Sequence, residues 1–265
     1  MPRTSPHINI LTIAGSDSGG ASGIQADLRT FARFGLHGLS AVTAVTAQNL
    51  HEVSSVHCVP AGEVERQLRA LFEGFRIDAV KIGMLGSATN VAAVARVLRE
   101  ARARNIVLDP VLASSSGAAL LSARGLHTLR TQLLPLANVL TPNLPEAALL
   151  LNHPVREADA DNAARELLAF GPRAVLLKGG HGRAAVVRDV LVDAEGARAF
   201  RHARLAVRAR GTGCVLASAI ASGLAMGQSP RHSITVAEQF LQRALRHSYA
   251  PARDRIKVLD VFAKT

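Results

Sequence analysis

Ile8-Asn-Ile-Leu-Thr-Ile-Ala14, followed at once by Gly15-Ser-Asp-Ser-Gly-Gly-Ala-Ser-Gly23, is the stretch on which the fold turns. The first half is a short apolar, β-branched run with the character of a buried strand. The second is a glycine-rich loop, and it opens a helix in which Ile24, Leu28 and Phe31 share one face before Gly35 ends it. Strand, glycine loop and helix in that order begin a βαβ unit. Such units require a largely parallel sheet with helices on both faces.

The same alternation continues along the chain. Leu39–Thr46, Ala79–Gly83, Ile106–Pro110, Asn138–Thr141 and Ala174–Lys178 read as buried strands, and Val91–Ala103 as the helix between two of them. Between Ala184 and Val207 the texture changes to Val186-Val187, Val190–Val192 and Phe200–Val207 around the turn signal Glu195-Gly196. That predicts an antiparallel hairpin at the sheet edge. Helices follow from Leu216, Ile220 and Leu224 in register and from Ile234 to His247, and the stretch after Ala250 is expected to be a loosely held tail. With 265 residues, no repeat and no linker, one domain spanning 1–265 is expected.

Composition narrows the function. No apolar run approaches the ~20 residues of a membrane span. The start, Met1 to His7, has no signal-peptide pattern, so a cytoplasmic address and no membrane partner are expected. Cys58 and Cys214 are expected to be thiols. The formal charge of +11 comes from 31 basic residues, of which Lys81, Lys178, Lys257 and Lys264 are the lysines. With no Trp and one Tyr, few platforms exist for stacking nucleic-acid bases, and the arginines read as solvated helix faces.

Ligands of open α/β sheets bind beyond the carboxyl ends of the strands, so the residues just after each strand are the site candidates. Gly211-Thr-Gly-Cys214 precedes a periodic apolar helix. Its N–H groups and the helix dipole make an anion site, where Cys214 is expected to have a thiol pKa below ~8.5 and to accept a proton. A glycine turn with a small buried cysteine fits these residues equally well. Asp109 and Glu146 are two carboxylates of the kind Mg²⁺ uses beside phosphates. Read alone, Glu146 is rather a first-turn acid facing the helix dipole. Lys178-Gly-Gly-His181 ends a strand where a scarce lysine can reach phosphates. No Gly-x-x-x-x-Gly-Lys-Ser/Thr, no true Gly-x-Gly-x-x-Gly and no His/Cys cluster of zinc spacing is present.

Taken in order, Ala14–Leu28, Thr43-Ala-Val-Thr-Ala-Gln-Asn49, Lys81-Ile-Gly-Met-Leu85, Leu108-Asp-Pro-Val111, Leu140–Ala147, Leu177–His181 and Gly211–Cys214 resemble the hydroxymethylpyrimidine/phosphomethylpyrimidine kinases of thiamine synthesis, in the ribokinase-like superfamily. The resemblance implies a mostly parallel central sheet with helices on both faces, a small edge hairpin or flap, and a homodimer. It implies transfer of a phosphoryl group from ATP, with Mg²⁺, to 4-amino-5-hydroxymethyl-2-methylpyrimidine and then to its monophosphate. Gly15, Asp27, Gln48 and Val111 match positions that hold the aminopyrimidine alcohol. Asn143, Lys178 and Gly179 match the nucleotide side, Asp109 and Glu146 the metal, and Gly211, Thr212 and Gly213 the anion hole, with Cys214 in the place of a base. Related sequences with the same turn act on pyridoxal, which is the alternative acceptor; a weakened binding protein is another. The chain departs from the family pattern at Ser22, at Arg210 and Val215 beside the anion hole, and at Ser115 in the flap segment Ala113–Gly117.

Overall fold

The computed structural model describes residues 7–113, 120–180, 185–251 and 255–263. In chain order the elements are β1 (Asn9–Asp17), α1 (Gly23–Arg33), β2 (His37–Gln48), β3 (Val53–Cys58), α2 (Ala61–Gly74), β4 (Ala79–Ile82), α3 (Ala88–Glu100) and β5 (Ile106–Leu108). They continue with α4 (Ala123–Thr128), β6 (Val139–Leu140), α5 (Leu144–Leu151), α6 (Ala160–Leu168), β7 (Ala174–Leu177), β8 (Val186–Asp193) and β9 (Gly196–Ala203). Last come β10 (Ala209–Arg210), α7 (Thr212–Ala225), α8 (Pro230–Arg246) and β11 (Lys257–Val258).

Nine strands form one sheet in the order β3-β2-β1-β4-β5-β6-β7-β8-β9. β2, β1, β4, β5, β6 and β7 run parallel, while β3 at one edge and the β8–β9 hairpin at the other are antiparallel. The expected edge hairpin is therefore present. It turns where predicted, with Asp193 paired to Gly196 and the Asp193 carboxylate accepting the Glu195 N–H.

Period-two alternation sorts the sheet into two cores. Leu11, Ile13, Val80, Ile82, Ile106, Leu108, Val175 and Leu177 face one way, against Val64 and Leu68 of α2, α3, and the apolar faces of α5 and α6. Ile10, Ala79, Val107, Ala174 and Leu176 face the other way, against α1, α7 and α8. α7 has ten consecutive buried residues from Val215 to Leu224, because it lies between the sheet and α8. That burial fixes the position of its N-terminal end.

The segment after Ala250 differs from expectation. β11 pairs with β10, and Ile256, Val258, Leu259 and Val261 are buried. Apolar residues four or fewer apart gain enough from burial to hold the segment down, at roughly 1.5–3 kcal/mol per fully buried large side chain. The pairing also ties the strand that leads into α7. Of the flap segment Ala113–Gly117 only Ala113 is among the described residues; Ser115 lies outside them, as does His181.

Candidate active site

β1 has neighbours on both sides: the chain steps from β1 outward to β2, and later returns to place β4 on the opposite flank. A crevice opens at such a reversal, beyond the strand ends. Here it is a cavity of about 790 Å³, whose walls include Gly15, Gln48, Val111, Asp109, Asn143, Glu146, Lys178 and Gly211 to Cys214. Residues as far apart as 15 and 214 thus meet, because each ends a parallel strand or starts the helix above it.

The tip of α7 is built by glycine. Gly211 has φ +81°, a left-handed conformation that side chains resist, and a Cβ on it would lie 2.0 Å from the Ala21 carbonyl oxygen. The tip is therefore pressed against the first glycine loop. The first bond of the helix runs from the Val215 N–H to the Gly211 carbonyl, at 2.9 Å. The N–H groups of Thr212, Gly213 and Cys214 precede it, with the dipole's positive end, facing the cavity. A Cβ on Gly213 would stand 3.2 Å from Lys178 Nζ and 3.3 Å from Asp109 Oδ2, so cation, carboxylate and helix tip are immediate neighbours.

The loop opposite is held by Asp17, which sequence reasoning passed over. Its carboxylate accepts from the N–H groups of Gly19, Ala21 and Ser22 and from the Ser22 hydroxyl. An Asp among Gly and Ser that bonds the backbone two residues on is an Asx turn, and that was the available signal. It also accounts for Ser22, whose hydroxyl is bound to Asp17 and approached by Gln48 Nε2 at 3.4 Å.

Asp109 Oδ1 accepts from Lys178 Nζ at 2.9 Å and from the Thr141 hydroxyl. Burial works against the Lys178 ammonium, but the carboxylates of Asp109 and Glu146 outweigh it and hold its pKa above the usual lysine range. Asn143 and Glu146 form a reciprocal capping box at the start of α5, each side chain bonding the other's backbone N–H. Glu146 caps the helix, as its first-turn reading expects, and also lines the cavity. Burial, helped by Asp109 and opposed by Lys178, pushes its pKa up to about 7.

Three expectations are revised by the geometry. Asp27 does not line the cavity. It is fully buried, accepting from Thr12 Oγ1 at 2.6 Å, Lys81 Nζ at 2.9 Å and Ser218 Oγ at 2.8 Å. Lys81, although its side chain is also 0% exposed, borders the cavity. Burial opposes its charge, yet Asp27, Cys214 and Asp109 together raise its pKa. A lysine inside the buried run Ala79-Val-Lys-Ile82 was the signal, since such a charge needs a partner. Gly179 also lies off the cavity wall: its N–H donates to Asp189 Oδ1 at 2.6 Å, and a Cβ there would meet the Arg188 carbonyl oxygen at 2.2 Å. Finally, the Cys214 thiol is not acidic. Burial pushes its pKa up to about 11, with Asp27 and Asp109 adding to the effect and Lys81 and the Gly23 N–H opposing it. A helix dipole in the presence of two buried carboxylates is not enough to expose a thiolate.

Of the departures, Arg210 is committed to structure, donating to the Leu50 and His51 carbonyls, and Val215 packs in the second core. The gained cation ties the turn after Gln48 to the strand before the tip.

The family profile for phosphomethylpyrimidine kinase matches residues 17–258. The chain is 44% identical over 241 residues to the hydroxymethylpyrimidine/phosphomethylpyrimidine kinase of Salmonella typhimurium, covering 90% of this chain and 91% of that one. It is 44% identical over 243 residues to the thiamine biosynthesis bifunctional protein ThiED of Geobacter sulfurreducens, spanning 91% of this chain and 50% of that longer protein. Among solved structures, the ADP complex of Bacillus subtilis pyridoxal kinase superposes with a TM-score of 0.87 at 31% identity, over 96% of this chain and 97% of that one.

Proposed function

The chain belongs to the phosphomethylpyrimidine kinase family, and from that premise we propose how its cavity phosphorylates the alcohol of an aminopyrimidine. The enzyme transfers a phosphoryl group to 4-amino-5-hydroxymethyl-2-methylpyrimidine and to its monophosphate, in thiamine biosynthesis. The observation that carries the mechanism is the α7 tip standing open to a cavity of about 790 Å³, with Lys178 and Asp109 beside Gly213.

ATP places its terminal phosphate before the N–H groups of Thr212, Gly213 and Cys214. Lys178 neutralises developing charge on the nucleotide side, where Asn143 also faces, and Lys81 does so on the acceptor side. Gly15, Gln48 and Val111 hold the ring. Gln48 presents both a donor and an acceptor to the aminopyrimidine edge, which suits a ring carrying both. Gly179 and Asp27 act through Lys178 and Lys81, the one shaping the turn and the other holding the ammonium. The alcohol oxygen attacks the terminal phosphorus as the bond to the leaving diphosphate breaks. In a loose transition state the alcohol's proton is lost late, passing to an oxygen of the transferred phosphoryl group, so a strong base is not required. Cys214 is protonated at neutral pH and takes part as a thiol that positions the alcohol.

Asp109 and Glu146 fit a divalent cation. They are two carboxylates beside the phosphate position, and the hydrogen bonds among the described residues fall on Asp109 Oδ1 and Glu146 Oε2. Mg²⁺ asks for no more than one or two such groups, with waters and phosphate oxygens completing its shell. When bound it would neutralise charge on the phosphates. A homodimer and a cytoplasmic address, both implied by the family, belong to the same proposal. No helix among the described residues is long and apolar enough to cross a membrane.

A coupled ADP-release assay with the aminopyrimidine alcohol, its monophosphate and pyridoxal as acceptors tests the reading. The two pyrimidines are expected to turn over with higher kcat/KM than pyridoxal. Pyridoxal is the second reading because the superposition with a pyridoxal kinase spans nearly the whole chain. Preference for pyridoxal would refute the pyrimidine assignment, and ATP binding without ADP release from any acceptor would refute the mechanism.

A further inference from the structure

We propose that Asp189, His202 and Glu238 form a binding site for a divalent transition-metal ion, of which Zn²⁺ is the best-fitting example, separate from the Asp109/Glu146 pair. The three residues come from β8, β9 and α8, and one ligand atom from each lies within 4.8 Å of the others. Their spacing in the chain, 13 and 36 residues, has no motif; only the hairpin folding against α8 brings them together.

Glu238 supplies the independent observation. It is 6% exposed, it points into this cluster beside Asp189 with Oε2 4.0 Å from His202 Nδ1, and among the described residues neither of its carboxylate oxygens has a hydrogen-bond donor. A buried carboxylate without a donor is costly, and beside a second carboxylate it demands a positive charge between them. A proton can fill that place, and in its absence a cation can. His202 Nδ1 faces Glu238 Oε2, where an imidazole nitrogen can serve as a ligand. Asp189 is oriented by the Gly179 N–H on its Oδ1, the kind of supporting bond that ligating carboxylates have. Donors on a tetrahedral ion at about 2.0–2.1 Å stand roughly 3.4 Å apart, so the 4.0 Å pair needs to close by about 0.6 Å and the other pairs, all within 4.8 Å, by up to about 1.4 Å.

One imidazole and two carboxylates are a donor set that borderline ions take and that Mg²⁺, which prefers oxygen and water, does not select. Asp189 and His202 line the cavity, whereas Glu238 lies beneath them. An ion held there keeps a coordination position on the cavity side for water or a ligand oxygen.

The test is calorimetric titration of the chelator-treated protein with Zn²⁺, in excess Mg²⁺. One equivalent is expected to bind. Glu238→Gln and His202→Ala are each expected to weaken binding by more than the roughly 10–100-fold that loss of a mere supporting bond costs. Glu146→Gln is expected to leave it unchanged, and urea unfolding checks that each variant is folded. Absence of Zn²⁺ binding in the parent protein would overturn the proposal, leaving a shared proton between Asp189 and Glu238. So would binding that survives Glu238→Gln, and so would binding abolished by Glu146→Gln, which would put the ion at the phosphate site.

Discussion

Replacing Lys81 by Met removes one half of an ion pair that is completely enclosed, with both side chains at 0% exposure and Nζ 2.9 Å from Asp27 Oδ2. Met fills much of the same volume but supplies no charge, so Asp27 keeps only the hydroxyls of Thr12 and Ser218. Breaking one partner of such a pair costs about 3–5 kcal/mol, because the remaining charge has lost both water and its counter-ion. In a fold of this size that lowers Tm by roughly 6–20 °C, taking about 2–4 °C per kcal/mol. Asp27→Asn in the same protein removes the stranded charge, and the double variant is expected to recover most of the loss. Urea unfolding of the parent, both single variants and the double variant closes the cycle. Turnover provides the second readout. Lys81 borders the cavity, so the double variant is expected to regain stability without regaining kcat. A Lys81→Met variant within about 1 kcal/mol of the parent would refute the buried-pair reasoning. A double variant with full kcat would instead remove Lys81 from the acceptor side.

Other predictions follow from the same geometry. Glu146, with a pKa raised to about 7, binds a proton that the unfolded chain at about 4.3 has already lost. Its contribution therefore makes the fold less stable as pH rises from about 4.3 to 7 and is constant above that. The same proton competes with Mg²⁺, so the concentration of Mg²⁺ for half-maximal rate is expected to climb up to about tenfold per unit below pH 7, and Glu146→Gln should flatten that slope. Gly211→Ala is expected to lose about 1–2 kcal/mol from its left-handed backbone alone, plus the clash with the Ala21 carbonyl 2.0 Å away, and to raise KM for ATP; an active, unshifted variant would show that the tip can move. In a Cys58→Ser background, alkylation of Cys214 should accelerate about tenfold per pH unit from 7 towards 11, and a rate already level at pH 7 would reveal a thiolate. Cys214→Ala is expected to lower kcat about 10²-fold by misplacing the alcohol, with ATP binding nearly intact.

Local chemistry was enough to read most strands of the sheet, several of the helices between them, the glycine loop, the edge hairpin and the glycine-built start of α7. Each depends on neighbours in the chain: alternation buries one face, and Gly211 permits a turn that its own φ requires. The same local signals placed Gln48, Asp109, Asn143, Glu146 and Lys178 at strand ends, where the sheet's topology gathers them into one cavity.

Local chemistry could not say which of two charged residues faces the ligand. Asp27 looked like a reader of the ring until Thr12, Lys81 and Ser218, from three other elements, were found to surround it. It could not set the Cys214 pKa either, since a helix start lowers it while burial near Asp27 and Asp109 raises it. Nor could it anticipate that Asp189, His202 and Glu238 converge, or that the stretch after Ala250 returns to pair with β10. What residues 1–265 determined alone was the backbone pattern, because hydrophobic periodicity and turn chemistry act over a few residues. Protonation, pairing and exposure were decided only by tertiary structure, because the field at a buried group is the sum of charges and solvent lost from elements far apart in the chain.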